Sequence, residues 1–121
     1  MGRRELLVMV NKVRITVYYT PECPKEPVIE EIRKAVQEAE LKDYELEEVL
    51  LASDEEAAQH RVLGVPTVRI NGVDVDPSFE DRGVYTSTCS RIYKWAGRYH
   101  DYPPKEMIVE ALRRALSSES G

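Results

Sequence analysis

Cysteine is scarce: two in 121 residues cannot form a disulfide framework, so a hydrophobic core must carry the fold. Basic charge is in deficit. Seventeen Lys+Arg face twenty-two Asp+Glu, a net charge of -5, which argues against the basic patches that non-specific nucleic-acid binding needs. No apolar run nears the roughly 20 residues of a membrane span. The apolar run at residues 6–10 is too short for a signal-peptide core, and no small-residue cleavage site follows it. Internal repeats and low-complexity tracts are missing. No Cys/His spacing matches a structural zinc site. These absences predict a soluble, cytoplasmic chain with no nucleic-acid partner, no membrane partner and no cofactor. In that compartment the cysteines are expected to be reduced, reactive or metal-binding rather than structural.

What is present reads as one globular domain, with apolar types at 42% and charged types at 32%. Val13-Arg14-Ile15-Thr16-Val17-Tyr18-Tyr19 alternates and is rich in β-branched and aromatic residues, which predicts a strand. Residues 20–27 form a loop whose prolines also suit the first turn of a helix. Val28, Ile29, Ile32, Ala35, Val36 and Ala39 then recur at helical spacing. Residues 44–51 read as a second strand. Ser53-Asp54-Glu55-Glu56 is a capping box, and the helix it opens is expected to run to Leu63, with Gly64 as its left-handed C-terminal residue. Thr67-Val68-Arg69-Ile70 and Val73-Asp74-Val75 flank Asn71-Gly72, a strong hairpin signal. Residues 76–103 fit nothing regular well, apart from a short strand or helix allowed near Ser90–Trp95, and are too long for a plain connection. Pro103-Pro104 opens a last helix with Ile108, Ala111, Leu112 and Ala115 as its stripe. The predicted order is β-α-β-α-β-β, a long segment, then α: an α/β fold with a mixed sheet and helices packed on it. Residues 1–12 read as an N-terminal extension with Met9 a candidate start, 13–117 as the domain, 76–103 as a lid-like insertion and 118–121 as a tail.

Cys23 lies between a strand and a helix. Amide N–H groups and the positive helix end there stabilise a thiolate, the nucleophilic and metal-binding form. Glu22 and Glu26 oppose a further negative charge, and Lys25 offsets part of that. The plain alternative is a small hydrophobe in a turn. In Gly64-Val65-Pro66-Thr67, a proline starting a strand needs an edge or an unusual geometry. Cys89 is either a buried small hydrophobe or a second functional thiol. Asp74 and Asp76 are expected to be solvated carboxylates on one side of a short strand. Arg82, Tyr85 and Arg91 are candidates to anchor the long segment, and Tyr18, Tyr19 and Trp95 read as core and wall. His60 is placed on the surface near a helix's negative end, and His100 beside Asp101 is a weaker candidate base.

Taken together, strand, Cys loop, helix, strand, helix, Val65-Pro66-Thr67 and hairpin resemble the thioredoxin superfamily from Val13 to Val75. Cys23-Pro24 looks like the start of a glutaredoxin-type motif. The second cysteine of C-x-x-C is replaced by Glu26, which excludes dithiol chemistry within that motif. Nearly the whole chain is similar to small thioredoxin-like proteins, some catalogued as alkylmercury lyase-like. The matching segments are Tyr19-Thr20-Pro21-Glu22-Cys23-Pro24, then Pro66-Thr67-Val68-Arg69-Ile70-Asn71-Gly72-Val73-Asp74-Val75, then Thr88-Cys89-Ser90-Arg91-Ile92-Tyr93 with Ser90 inserted. The resemblance implies a cis-proline at Pro66 lying against Cys23. It also implies that Pro24, Val65, Pro66 and Thr67 position a substrate, and that the segment carrying Cys89 folds over the site.

The expected function is thiol-based processing of a disulfide, oxidant or electrophile by Cys23, with Cys89 as resolving thiol and a small-molecule or protein thiol or disulfide as partner. The first alternative is a soft-metal or organomercurial-binding dithiol, Cys23 with Cys89. The second is a non-catalytic partner-binding domain.

Overall fold

Residues 12–120 are described by the computed structural model, with backbone alone at 118–120. The readings of residues 1–11, including a start at Met9, lie outside the described residues. Strand β1 (Val13–Tyr19) follows the predicted alternation, and helix α1 (Glu26–Glu38) begins at the predicted prolines. Then come β2 (Tyr44–Leu50), α2 (Asp54–His60), β3 (Thr67–Ile70), β4 (Val73–Asp74), β5 (Tyr93–Trp95), β6 (Arg98–His100) and α3 (Lys105–Ser120). The result is an α/β arrangement with a four-stranded mixed sheet in the order β2-β1-β3-β4. Strand β1 runs parallel to β2 and antiparallel to β3. The C-terminal end of β1 and the start of β3 therefore share one end of the sheet, where Cys23 and Pro66 meet. The β3–β4 turn takes Asn71 at φ 53° and Gly72 at φ 84°, the two left-handed residues that a type I′ hairpin requires.

One sheet face is apolar throughout. Val13, Ile15 and Val17 of β1 and Val68 and Ile70 of β3 meet Val28, Ile32, Ala35 and Val36 of α1. Met107, Ile108, Ala111 and Leu112 of α3 close the same cluster. Each large side chain fully buried there contributes about 1.5–3 kcal/mol. The opposite face holds a smaller cluster of Tyr18, Leu51, Ala57, Val62 and Val65, with Cys23 and Tyr85 packed on its rim. Strand β2 is one of the two edge strands of the described sheet, and Glu45, Leu46, Glu47, Glu48 and Leu50 along it are exposed. No helix among the described residues is long and apolar enough to cross a membrane.

Three expectations are corrected. Helix α2 stops at His60, and Arg61, not Gly64, takes the left-handed cap at φ 56°. The chain must leave the helix there because Val62 and Leu63 pair with the later segment through Thr86. Helix α3 runs to Ser120, so residues 118–120 continue it; a serine-rich end reads as fraying but still closes helical turns. Residues 76–103 contain the β5–β6 hairpin, turning at Ala96 (φ 54°) and Gly97 (φ 77°). Strands of three residues joined by Ala-Gly carry almost no periodic signal.

Candidate functional site

Cys23 follows β1 in a short turn. Its N–H donates to the Thr20 carbonyl (3.1 Å) and to Thr20 Oγ1 (3.2 Å). Two residues later Lys25 caps α1 without a side-chain hydrogen bond. Lys25 does not face the cysteine as expected, because its Nζ pairs with Glu48 Oε1 at 2.6 Å. Cys23 Sγ is bonded to Cys89 Sγ, with the two Cα atoms 5.6 Å apart and a separation of 66 positions in sequence. It also lies 3.7 Å from the Val65 carbonyl oxygen. A bridged sulfur has no proton to donate, so that carbonyl becomes a hydrogen-bond acceptor only for the reduced thiol. The Val65–Pro66 peptide bond is cis.

Cys89 belongs to the segment 76–103, here called the strap, which crosses the end of the sheet. It sits at the apex of a tight turn closed by the Ser90 N–H on the Thr88 carbonyl (2.8 Å). Upstream, Arg61 pairs with Asp81 (2.9 Å). Asp54 Oδ1 accepts from Ser87 N–H (2.9 Å), Ser87 Oγ (3.1 Å) and Thr86 Oγ1 (3.2 Å). The Ser87 N–H, the Ser87 hydroxyl and the Thr86 hydroxyl hold the Asp54 carboxyl below its ordinary range, against a small opposing effect of burial. The capping box thus acts with a shift: Ser53 Oγ accepts from Glu56 N–H, Glu56 reaches Ala52 N–H, and Asp54 is turned to the strap. At the crossing point Gly64 N–H donates to the Thr86 carbonyl (3.0 Å) and Val65 N–H to the Thr88 carbonyl (2.9 Å). Arg91 N–H donates back to the Val65 carbonyl (3.3 Å). Gly64 sits at φ 112°, and a Cβ there would stand 2.9 Å from Ser90 Oγ. Glycine is needed here for the approach of the strap rather than to end a helix.

Downstream of Cys89 the anchor is buried. Arg91 NH2 and NH1 donate to Asp74 Oδ1 (2.8 Å) and Oδ2 (2.9 Å), with side chains only 8% and 5% exposed. Burial opposes the Arg91 charge. The hydrogen bonds to Asp74, with the fields of Tyr93, Asp74 and Asp76, overcome it and raise its basicity. The guanidinium lies between the Tyr93 ring (4.4 Å) and the Phe79 ring (4.8 Å). Tyr93 is fully buried in the main core and its hydroxyl donates to the Pro66 carbonyl at 2.6 Å. Burial pushes the Tyr93 phenol far above its ordinary value, so it stays a donor. The expectation of a solvated Asp74 is therefore wrong: on β4, beneath the strap, it pairs with Arg91 inside the fold, and Asp76 adds a second carboxylate at 4.0 Å. On the strap Tyr93 is buried, Tyr85 and Trp95 are half-buried, and Ile92 and Tyr99 remain 58% and 73% exposed.

The disulfide opens on a cleft of about 330 Å³ lined by Cys23, Pro24, Pro27, Pro66, Cys89 and Ile92, with Glu22, Arg91, Asp101 and Tyr102 at its margins. Cys23 is half-buried and Cys89 exposed. Pro24 and Pro66 line the cleft. Val65 and Thr67 do not: both are buried behind it, Val65 with its N–H and carbonyl held by the strap, Thr67 donating to the Gly64 carbonyl (2.7 Å) and accepting from Arg91 (3.2 Å). His100 lies opposite Tyr93 in the β5–β6 ladder, and His60 rests against the Tyr18 ring at 5.3 Å. The α2 C-terminus is served instead by Arg69, which donates to the His60 (2.7 Å) and Arg61 (2.8 Å) carbonyls. No group of three or more metal-ligating side chains occurs among the described residues.

Comparison with protein-family models, curated proteins and solved structures found no match. The site is therefore read from its own chemistry. It combines a sulfur pair, two flanking prolines and a strap held by polar contacts on both sides of Cys89. Asp54, Asp74 and Gly64 were missed as strap anchors; their sequence context pointed only to a cap, a strand and a helix end.

Proposed function

We propose that this chain is a thioredoxin-like thiol–disulfide exchange protein whose working couple is Cys23 with Cys89. The observation that carries the reading is the bridge itself, between residues 66 positions apart, on a strap that other contacts hold on both sides of Cys89. In the reduced form the Cys23 thiolate attacks one sulfur of a partner disulfide, and the other partner sulfur leaves as thiolate. Cys89, as thiolate, then attacks Cys23 Sγ, releasing the second partner sulfur. Two electrons pass from the dithiol to the partner, the two thiol protons end on the released sulfurs, and the Cys23–Cys89 bond is formed. External thiols restore the dithiol. Pro24 and Pro66 wall the reacting sulfurs, while Val65 and Thr67 support the wall from behind.

The test is electron transfer to a disulfide-bonded protein substrate. The reduced chain should accelerate that reduction beyond free dithiothreitol and end as the intramolecular disulfide. Cys23→Ser should abolish the effect, and Cys89→Ser should stall as a mixed disulfide visible by mass. A rate no higher than that of dithiothreitol alone rejects the reading. A second reading is favoured by the adjacency of two sulfurs without a third ligating group: the reduced pair captures a soft cation satisfied by two thiolates. Stoichiometric uptake of such a cation, combined with failure of the electron-transfer assay, would select it.

A further inference from the structure

We infer that the exchange site selects thiols and disulfides bearing a positive charge beside the sulfur, and disfavours anionic thiols such as glutathione. This rests on the exchange reading above and names its substrate class. Among the described residues the cleft holds two carboxylates, Glu22 and Asp101, and neither has an ion-pair or hydrogen-bond partner there. One cation, Arg91, lines the cleft, and both of its terminal nitrogens are already on Asp74 with Asp76 at 4.0 Å. Lys25, the cation next along the loop, is held by Glu48. The chain as a whole carries -5. An incoming thiolate therefore meets a negative field with no unpaired cation in the lining to offset it. A positive charge on the same molecule cancels that cost, and because Glu22 and Asp101 are both exposed the discrimination is screened by salt. Pro24, Pro27 and Ile92, themselves exposed, suit an apolar neighbour of a peptide cysteine.

The chemistry tested is reduction of the resting disulfide. A thiolate R–S⁻ attacks Sγ of Cys23, the sulfur that carries the mixed disulfide in the exchange reading, and the Sγ–Sγ bond breaks. Cys89 leaves as thiolate and takes a proton from water. A second R–S⁻ attacks the R sulfur of the mixed disulfide, releasing Cys23 as thiolate and forming R–S–S–R. Two thiols are oxidised and one disulfide is reduced.

Oxidised full chain is mixed with cysteamine, 2-mercaptoethanol or mercaptoacetate, quenched in acid, alkylated and weighed. Rates are expressed per thiolate and divided by the same rates on 2-hydroxyethyl disulfide, which removes differences in intrinsic thiol reactivity. Cysteamine should exceed mercaptoacetate by about tenfold at low salt, and by only about twofold at 1 M salt. The double variant Glu22→Gln, Asp101→Asn should lose most of the tenfold ratio, with the mercaptoacetate rate rising most, the 2-mercaptoethanol rate rising less and the cysteamine rate changing least. A blocked Leu-Cys-Lys peptide faster than cysteamine identifies polypeptide partners; the reverse identifies small aminothiols. Equal normalised rates for all three thiols, or a ratio untouched in the variant, overturn the charge inference alone. A folded protein whose bridge resists 2-mercaptoethanol overturns the exchange reading with it.

Discussion

The sheet face under α1 and α3 and the strap across the sheet end are held by different physics. The first is an apolar cluster in which any one residue is touched by many others, with no partner chosen by chemistry. The second is a chain of pairwise polar contacts: Arg61 with Asp81, Asp54 with Ser87, Arg91 with Asp74, Tyr93 with Pro66, and one covalent bond. Tyr93 joins the two, its ring in the apolar cluster and its hydroxyl in the polar chain. The core is strong because it is redundant, and the strap is exact because each of its contacts is specific.

The sharpest way to break this contrast is to remove one member of the buried pair. Asp74→Ala leaves Arg91 charged and unpaired, and should cost about 3–5 kcal/mol in urea denaturation. Ile32→Ala, in the redundant core, should cost about 2–5 kcal/mol, equally in oxidised and reduced protein. Cys89→Ser removes a cross-link over 66 residues, and its loss should lower stability by about 2–4 kcal/mol relative to the oxidised parent. Against the reduced parent Cys89→Ser should be nearly neutral, because the remaining contacts keep the strap in place. A strap that becomes freely exchangeable with deuterium on reduction would refute that account.

Gly64→Ala tests the crossing point. Its positive φ and the 2.9 Å approach of Ser90 Oγ predict a loss of about 1–3 kcal/mol. Adding Ser90→Ala should recover the steric part and leave the backbone part. The smallest expected effect is on pH. The Asp54 carboxyl is held below its ordinary value in the folded state, so its contribution is complete above the unfolded value near 3.9 and fades as pH falls through the lower folded value. Acid should therefore raise hydrogen exchange at Ser87 before the core opens, and Asp54→Asn should flatten that response.

The same contrast explains what was legible beforehand. Apolar spacing at Val28, Ile32, Ala35 and Val36, alternation in β1 and the Asn71-Gly72 turn each imprint a period or a dipeptide on the chain, so the four-stranded sheet and its helices could be drawn from sequence. Cys23 was reached through its loop context, and its pairing with Cys89 through the resemblance. The strap's anchors leave no such imprint. Asp74 follows Val73 in a two-residue strand, and alternation points the wrong one of the two outward: Val73 is 65% exposed, while Asp74 is buried. Only its partner 17 residues away makes a buried carboxylate sensible there, and pairing at that distance is not periodic. Gly64 was misassigned for a related reason: positive φ after a helix also describes a cap, and the cap had moved to Arg61.

Strand β2, one of the two edges of the described sheet, carries its own guard against pairing with a neighbour. Its exposed Leu46 and Leu50 would favour such pairing. Glu47 and Glu48 stand between them and Glu45 flanks Leu46. A second copy adding its own β2 would bring the carboxylates of the two strands together, a repulsion that the Lys25 partner of Glu48 offsets only in part. Colloidal restraint is thus written into the least buried strand of the sheet, and exchanging its glutamates for threonine would turn it into a seed for fibres.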